Sequence, residues 1–317
     1  MRSPRWLPAG RQAEIGTRVG TAVNGDRSPA PSWLSDAFGG GVREARRLRW
    51  GFTHETWAAF AGGRHRVATL MGDVAAAQAI IERGPELARR LAEAGIPSPA
   101  PDIAASRPEQ GIVVTEYLEG APGIEALAGE AGARLVGRIA GSTWARLASV
   151  DPSGLGLDDL WARPGELRVA ALEWLRGVEA DVTAREAAIL RERAEAIGGL
   201  LEGRLSGMVH GDLVPVNLLV LEGRLGALID LEAAHVGEPM LDGAWFSWIV
   251  RYHHPELEGA ASEAFARAAG IDRTEPRTAA LLAALPSIRI LEILGRGPVP
   301  AAARTRWLQQ LRASVEP

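Results

Sequence analysis

The chain contains no cysteine and no lysine. The first absence removes disulfides, thiolate metal sites and cysteine nucleophiles together, and fits a reducing compartment, so the cytoplasm is the default expectation. The second absence reaches further. All 35 Lys+Arg residues are arginine, which excludes every mechanism that requires a lysine. No apolar run approaches the roughly 20 residues that span a bilayer, and the opening "MRSPRWLPAGRQAEIG" has no apolar segment behind its arginines. A formal net charge of -4 supplies no general field toward nucleic acid or an anionic membrane, and neither is expected as a partner.

What is present is enough for a folded protein. With 317 residues, 47% of them hydrophobic, the chain can bury a sizeable core as one large domain or two lobes. Residues 1–41 are rich in Gly, Pro, Ser and Arg and lack a sustained period, which predicts a loose arm. From "RRLRWGFTHETWAAFAGGRHRVATLM" we expect short antiparallel strands: one ending near Trp50, one over residues 56–61 and one over 65–70, the last two joined at Gly62-Gly63. "DVAAAQAIIERGPELARRLAEAG" has helical spacing broken at Gly84-Pro85, which predicts a kinked helix or two helices in series. The run "GIVVTEYLEG" reads as a buried strand ending in a hinge at Glu119-Gly120. Helical patterns follow to about Gly203 and resume from residue 240, interrupted by two short apolar strands around Glu222-Gly223.

That interruption carries the chemistry. "HGDLVPVNLL", residues 210–219, is followed by "ALIDLEAAHVGEP", residues 227–239. Phosphoryl transfer from a nucleotide needs a carboxylate to orient or deprotonate the acceptor hydroxyl, and oxygen ligands to hold Mg²⁺ against the phosphates. Asp212 would act as the base, Asn217 would offer an amide oxygen to the metal, and Asp230 would be its charged ligand. His210 would be buried and would fix the loop. The structural alternative, polar turn residues capping two buried strands, accounts for Asn217 taken alone. It does not account for two aspartates and an asparagine converging where both strands end.

With these motifs the sequence resembles the aminoglycoside phosphotransferase-like kinases, on "VHGDLVPVNLLV", on "LIDLEAAHVGEPMLD" and more weakly on "AEAGIPSPAP". The resemblance implies an α+β, bilobal protein-kinase-like fold: a β-rich N-lobe over residues 42–118 and a mainly helical C-lobe over 119–317. The C-lobe would hold a catalytic loop at 210–217 and a metal strand-loop at 227–239. It implies Asp212 as base, Asn217 and Asp230 on Mg²⁺, and Asp242 as a structural support of the loop, with Glu238 replacing the family's usual aspartate. The donor would be ATP or GTP. Thr53, in "WGFTHETW", would lie on the nucleotide-covering loop, and main-chain atoms of Glu116, Tyr117 and Leu118 would meet the purine.

The family's N-lobe also carries a lysine, sometimes an arginine, paired with a helix glutamate; here its strand reads "HRVATLM", and the position falls near Thr69. Glu82 and Glu86 are the helix candidates. Three readings stay open: Arg64 or Arg66 compensates, the metal and main-chain amides suffice, or the chain is a non-catalytic relative. The acceptor would lie against the helices that begin with "DGAWFSWIVRYHHPELEG", where Trp245, Trp248 and Tyr252 are candidate contacts. The expected reaction is O-phosphorylation of an antibiotic of aminoglycoside, macrolide, peptide or nucleoside type, in resistance or producer self-protection. The alternatives are a metabolic kinase of sugar, choline or homoserine type, and a nucleotide-binding pseudokinase.

Overall fold

A computed structural model describes residues 30–38, 40–48 and 54–316. The first described element departs from the expected loose arm: α1 (Ser32–Phe38) is a short helix with Leu34 fully buried. Its partner is a four-stranded antiparallel sheet in the order β1 (Arg43–Arg47), β2 (Glu55–Ala61), β3 (Arg64–Leu70) and β4 (Ile112–Glu116). Side chains alternate across the pleat. Trp57 and Ala59 of β2, Ala68 of β3 and Ile112 and Val114 of β4 therefore share one face, which Leu34 and Ala37 cover. Without α1 that apolar face would meet water, and this is why the segment folds although its composition predicts otherwise.

The helix α2 (Val74–Glu93) covers the opposite face, through Ala77, Ile80 and Ile81 against Met71 and Val113. It starts where the Asp73 carboxylate accepts the N–H groups of Ala75 and Ala76 at 2.8 and 3.2 Å. Of the two arrangements expected at Gly84-Pro85, one helix rather than two in series forms, with Pro85 inside it. Gly84 lies so close to Pro101 that an added Cβ would sit 2.8 Å from the proline ring, so the glycine is a packing requirement rather than a stop.

Beyond β4 come β5 (Ala121–Pro122), α3 (Gly123–Ala126), α4 (Glu130–Leu147), α5 (Pro164–Arg176) and α6 (Ala184–Leu201). Four short strands interrupt the helices: β6 (Gly207–Val209), β7 (Leu218–Leu221), β8 (Arg224–Leu228) and β9 (His235–Gly237). The chain closes with α7 (Met240–His253), α8 (Glu258–Ala269), α9 (Pro276–Gly295) and α10 (Ala301–Val315). Contrary to the sequence expectation, α9 is long and apolar enough to cross a membrane. It is a core helix: Leu281, Leu285, Ile288 and Leu291 are fully buried against Leu167, Leu190 and Leu241.

Candidate active site

Two strand pairings bring the chemistry together. Antiparallel β6 and β9 align Val209 with His235, which sets the loop after β6 against the segment entering β9. The β7–β8 hairpin aligns Leu218 with Leu228, and its ladder runs one step further, with Ile229 N–H donating to Asn217 O at 3.0 Å. Asn217 just before β7 and Asp230 just after β8 therefore leave the same end of the hairpin. A turn of different length would separate them.

Asp212 is held by two donors from different elements. The indole N–H of Trp245 donates to Oδ1 at 2.8 Å, and the Asn217 amide donates from Nδ2 to Oδ2 at 3.1 Å and to the Asp212 carbonyl at 2.9 Å. With Nδ2 so engaged, Asn217 has its Oδ1 left over. His210, fully buried, accepts the Asp212 N–H at Nδ1 (3.2 Å) and donates from Nε2 to Ile229 O (2.9 Å). A main-chain N–H only donates and a carbonyl only accepts, so the imidazole proton sits on Nε2. Burial pushes the imidazole pKa down, in keeping with a neutral ring.

Asp242, in the first turn of α7, accepts the N–H groups of His210 and Gly211 at 2.8 and 2.9 Å. Burial pushes its carboxyl up to about 7, while the two N–H donors and the charge of Arg289 pull the other way. Gly211 has φ +80°, and an added Cβ would sit 2.3 Å from Ala233 O, so no other residue fits this turn. Glu238 anchors the start of α7: it accepts the Met240 N–H at 3.1 Å and both Arg204 donors at 2.7 and 3.1 Å.

Asp230 takes a left-handed backbone conformation (φ 64°, ψ 60°), which costs free energy in a residue other than glycine. Its carboxylate is open to solvent on one side while protein crowds the rest. That crowding, then Glu232 and Asp212, push it up to about 7, and His54 opposes them. Among the described residues none donates a hydrogen bond to it. A crowded carboxylate with acidic neighbours and no donor has the chemistry of a cation ligand. Two basic side chains approach the next turn: His54 Nε2 lies 2.8 Å from a Glu232 carboxylate oxygen, and Arg83 Nη2 donates to the Glu232 carbonyl at 3.3 Å.

Other expected residues fall elsewhere. Thr53 lies outside the described residues. Arg66 turns to the α1 face of the sheet, where its guanidinium pairs with Asp102 at 3.3 Å and lies over the Phe38 ring, so it is not the expected nucleotide contact. Arg64 pairs with the same Asp102. Glu116 is tied to Ala100 through both its main-chain N–H (3.3 Å) and its carboxylate (3.1 Å), which takes that N–H away from a purine. The Tyr117 hydroxyl accepts from Arg46 at 3.1 Å, and the main chain of Tyr117 and Leu118 runs beyond the end of β4. Trp245 and Trp248 are only 2% and 5% exposed, so they are core residues and not pocket walls. They stack at 5.4 Å, and half-buried Tyr252 continues the ladder at 5.2 Å from Trp248.

The profile of the phosphotransferase enzyme family matches residues 44–282, which include His210, Asp212, Asn217, Asp230 and Asp242. The chain belongs to this family. Among solved structures, macrolide 2'-phosphotransferase MphH from Brachybacterium faecium is 23% identical, with a TM-score of 0.60, covering 88% of this chain and 96% of that one. Aminoglycoside phosphotransferase APH(4)-Ia, in a ternary complex with AMP-PNP and hygromycin B, is 19% identical with a TM-score of 0.65 and coverages of 89% and 96%. A type I macrolide 2'-phosphotransferase is 16% identical with a TM-score of 0.64 and coverages of 88% and 96%. No curated protein matches the chain. The phosphotransferase thus has the kinase-like α+β fold of these enzymes: a small antiparallel sheet joined to a larger helical part.

At the phosphotransferase's β3 position where a lysine was expected, Thr69 pairs in register with Thr56, their hydroxyls 3.4 Å apart. Glu86, one of the candidate helix acids, is taken by Arg89 and Arg90 on the outer side of α2. Sequence reasoning passed over three contacts: Trp245 on Asp212, and His54 and Arg83 at Glu232. The first had a signal. Trp245 follows Asp242 by three residues on α7, so both face the same loop.

Proposed function

We propose that this phosphotransferase carries out Mg²⁺-dependent transfer of the γ-phosphoryl group of ATP or GTP to a hydroxyl of a small molecule, with an antibiotic as acceptor. One observation carries the reading. The Asp212 carboxylate is gripped from both sides by Trp245 and Asn217, at the end of the hairpin that also delivers Asp230. A carboxylate so fixed meets the geometric demand on a base, which must keep a set orientation toward the acceptor hydroxyl. Asn217 through its Oδ1 and Asp230 through its carboxylate would hold the metal, both being hard oxygen donors. When bound, Mg²⁺ supplies charge neutralisation on the phosphates. His210 and Asp242 act as supports: they fix the loop's main chain and stay away from the reacting groups.

The acceptor is argued from the site. The tryptophans that suggested an aromatic pocket are internal, so an apolar acceptor now leans on Tyr252 alone. Macrolides and aminoglycosides are the first acceptors to try, followed by nucleoside and peptide antibiotics. Purified protein is incubated with Mg²⁺, each nucleotide and each acceptor, and the products are weighed by mass spectrometry. A gain of one phosphate that vanishes in Asp212→Asn is expected. If no acceptor in the panel gains mass and no nucleotide is hydrolysed above the Asp212→Asn level, the proposal fails.

A further inference from the structure

A lysine-free phosphotransferase still has to hold a polyanionic donor, and the arginines of β3 are spent. Arg64 and Arg66 both pair with Asp102, and Thr69 offers only a hydroxyl. Two basic side chains reach the turn beside Asp230 from the N-terminal part. His54 is already matched by the Glu232 carboxylate at 2.8 Å. Arg83 is different. It projects from α2, and its one hydrogen bond to a described residue is to the Glu232 main-chain carbonyl at 3.3 Å; it has no carboxylate partner there.

Glu86, three positions on along α2, is bridged by Arg89 and Arg90, and Glu82, next to Arg83 in sequence, points away from it round the helix. Burial lowers the pKa of Arg83, which shows that the surroundings disfavour the charge rather than compensate it. An unpaired, half-buried guanidinium is costly in the empty protein and becomes favourable when an anion arrives. Of the anions this site would receive, phosphate oxygens match its planar donors best.

We propose that Arg83 grips the phosphates of the donor nucleotide, supplying from α2 the positive charge that β3 lacks. The inference rests on the reading of the site as a nucleotide-dependent phosphotransferase. It makes the polarity of the pair run opposite to expectation, with the cation on the helix and a neutral hydroxyl on the strand. Arg83 also ties α2 to the Asp230 turn through the Glu232 carbonyl, so phosphate binding and the position of α2 are linked.

The test is calorimetric binding of ATP and GTP with Mg²⁺, alongside adenosine and guanosine, to wild type, Arg83→Ala, Arg83→Met and Arg83→Lys. Losing a charge-assisted contact to phosphate lowers triphosphate affinity roughly 10- to 100-fold in the Ala and Met variants. Nucleoside affinity stays within about twofold, because a nucleoside has no phosphate, and Lys recovers part of the loss. Thermal midpoints of the variants without nucleotide, measured beside that of wild type, show that the chain still folds. Triphosphate binding at wild-type strength in Arg83→Ala overturns the inference and leaves the proposed function standing. Equal losses of triphosphate and nucleoside overturn it too, since Arg83 would then only hold the fold. A wild type that binds neither triphosphate with Mg²⁺ overturns both.

Discussion

The indole N–H of Trp245 donates a 2.8 Å hydrogen bond to Oδ1 of Asp212, across 33 positions of sequence. A buried core side chain therefore reaches into the loop after β6 and fixes one oxygen of the proposed base. Trp245→Phe keeps an aromatic ring and removes the donor. Because a hydrogen bond to a charged group contributes about 1.5–3 kcal/mol, kcat should fall by at least about tenfold while KM for the nucleotide holds. Steady-state kinetics on whichever acceptor of the panel gains phosphate decides it, and an unchanged kcat would mean that Asn217 alone orients Asp212.

Asp242 satisfies two buried main-chain donors, the N–H groups of His210 and Gly211. In Asp242→Ala both lose their partner inside the protein, and an orphaned buried donor costs about 1–3 kcal/mol. We expect a loss of about 2–6 kcal/mol in urea unfolding, together with loss of transferase activity at temperatures where the variant is still folded. A fully stable but inactive Asp242→Ala would contradict the support role and point to direct involvement in the chemistry.

Leu34 seals the outer face of the sheet. Leu34→Ala leaves a cavity against Trp57, Ala68 and Val114, and such truncations cost about 2–5 kcal/mol. Unfolding midpoints of the variant, compared with a substitution at exposed Ser35, measure this directly. Equal midpoints would return α1 to the loose arm that its composition predicts.

His253 titrates low. Burial, with His254 beside it, holds its imidazole at about 4, below the usual value of about 6.5. A group whose folded pKa is depressed in this way takes up its proton more readily when unfolded. Its contribution to stability is therefore complete above about pH 6.5 and drains away as pH falls toward 4. His253→Gln should flatten the decline in urea midpoint between those limits. The Asp242 carboxyl, pushed up to about 7, works in the opposite direction but is common to both proteins, so it cancels in the comparison. Parallel pH curves for the two proteins would show that His253 is already solvated.

Much of the site could be read locally. Asp212, Asn217 and Asp230 lie within 19 positions of one another; a hairpin with a two-residue Glu222-Gly223 turn brings Asn217 and Asp230 to one end, and Asp212 is hydrogen-bonded to Asn217 five positions on. The strands 55–61 and 64–70 follow from alternation and a Gly-Gly turn. Where the reading failed, parity or distant packing decided. Arg66 is one step of the pleat away from the face it was expected on. Trp248 has the composition of a pocket wall, but it lies on the side of α7 that packs into the helical core. The arm-like composition of residues 32–38 could not reveal that β2, β3 and β4 leave an apolar face to cover.

The sequence by itself determined the reaction class, placed two aspartates and an asparagine at short spacing as the groups proposed for the site, and left no lysine beside them. Those are properties of residue type and short spacing, which the hairpin preserves in three dimensions. Only the tertiary structure decided who assists them: Trp245 on Asp212, Asp242 beneath the loop, and Arg83 and His54 at Glu232. These partners come from elements up to 178 positions apart, as with His54 and Glu232, and are brought together by burial of apolar faces, which sequence spacing does not encode.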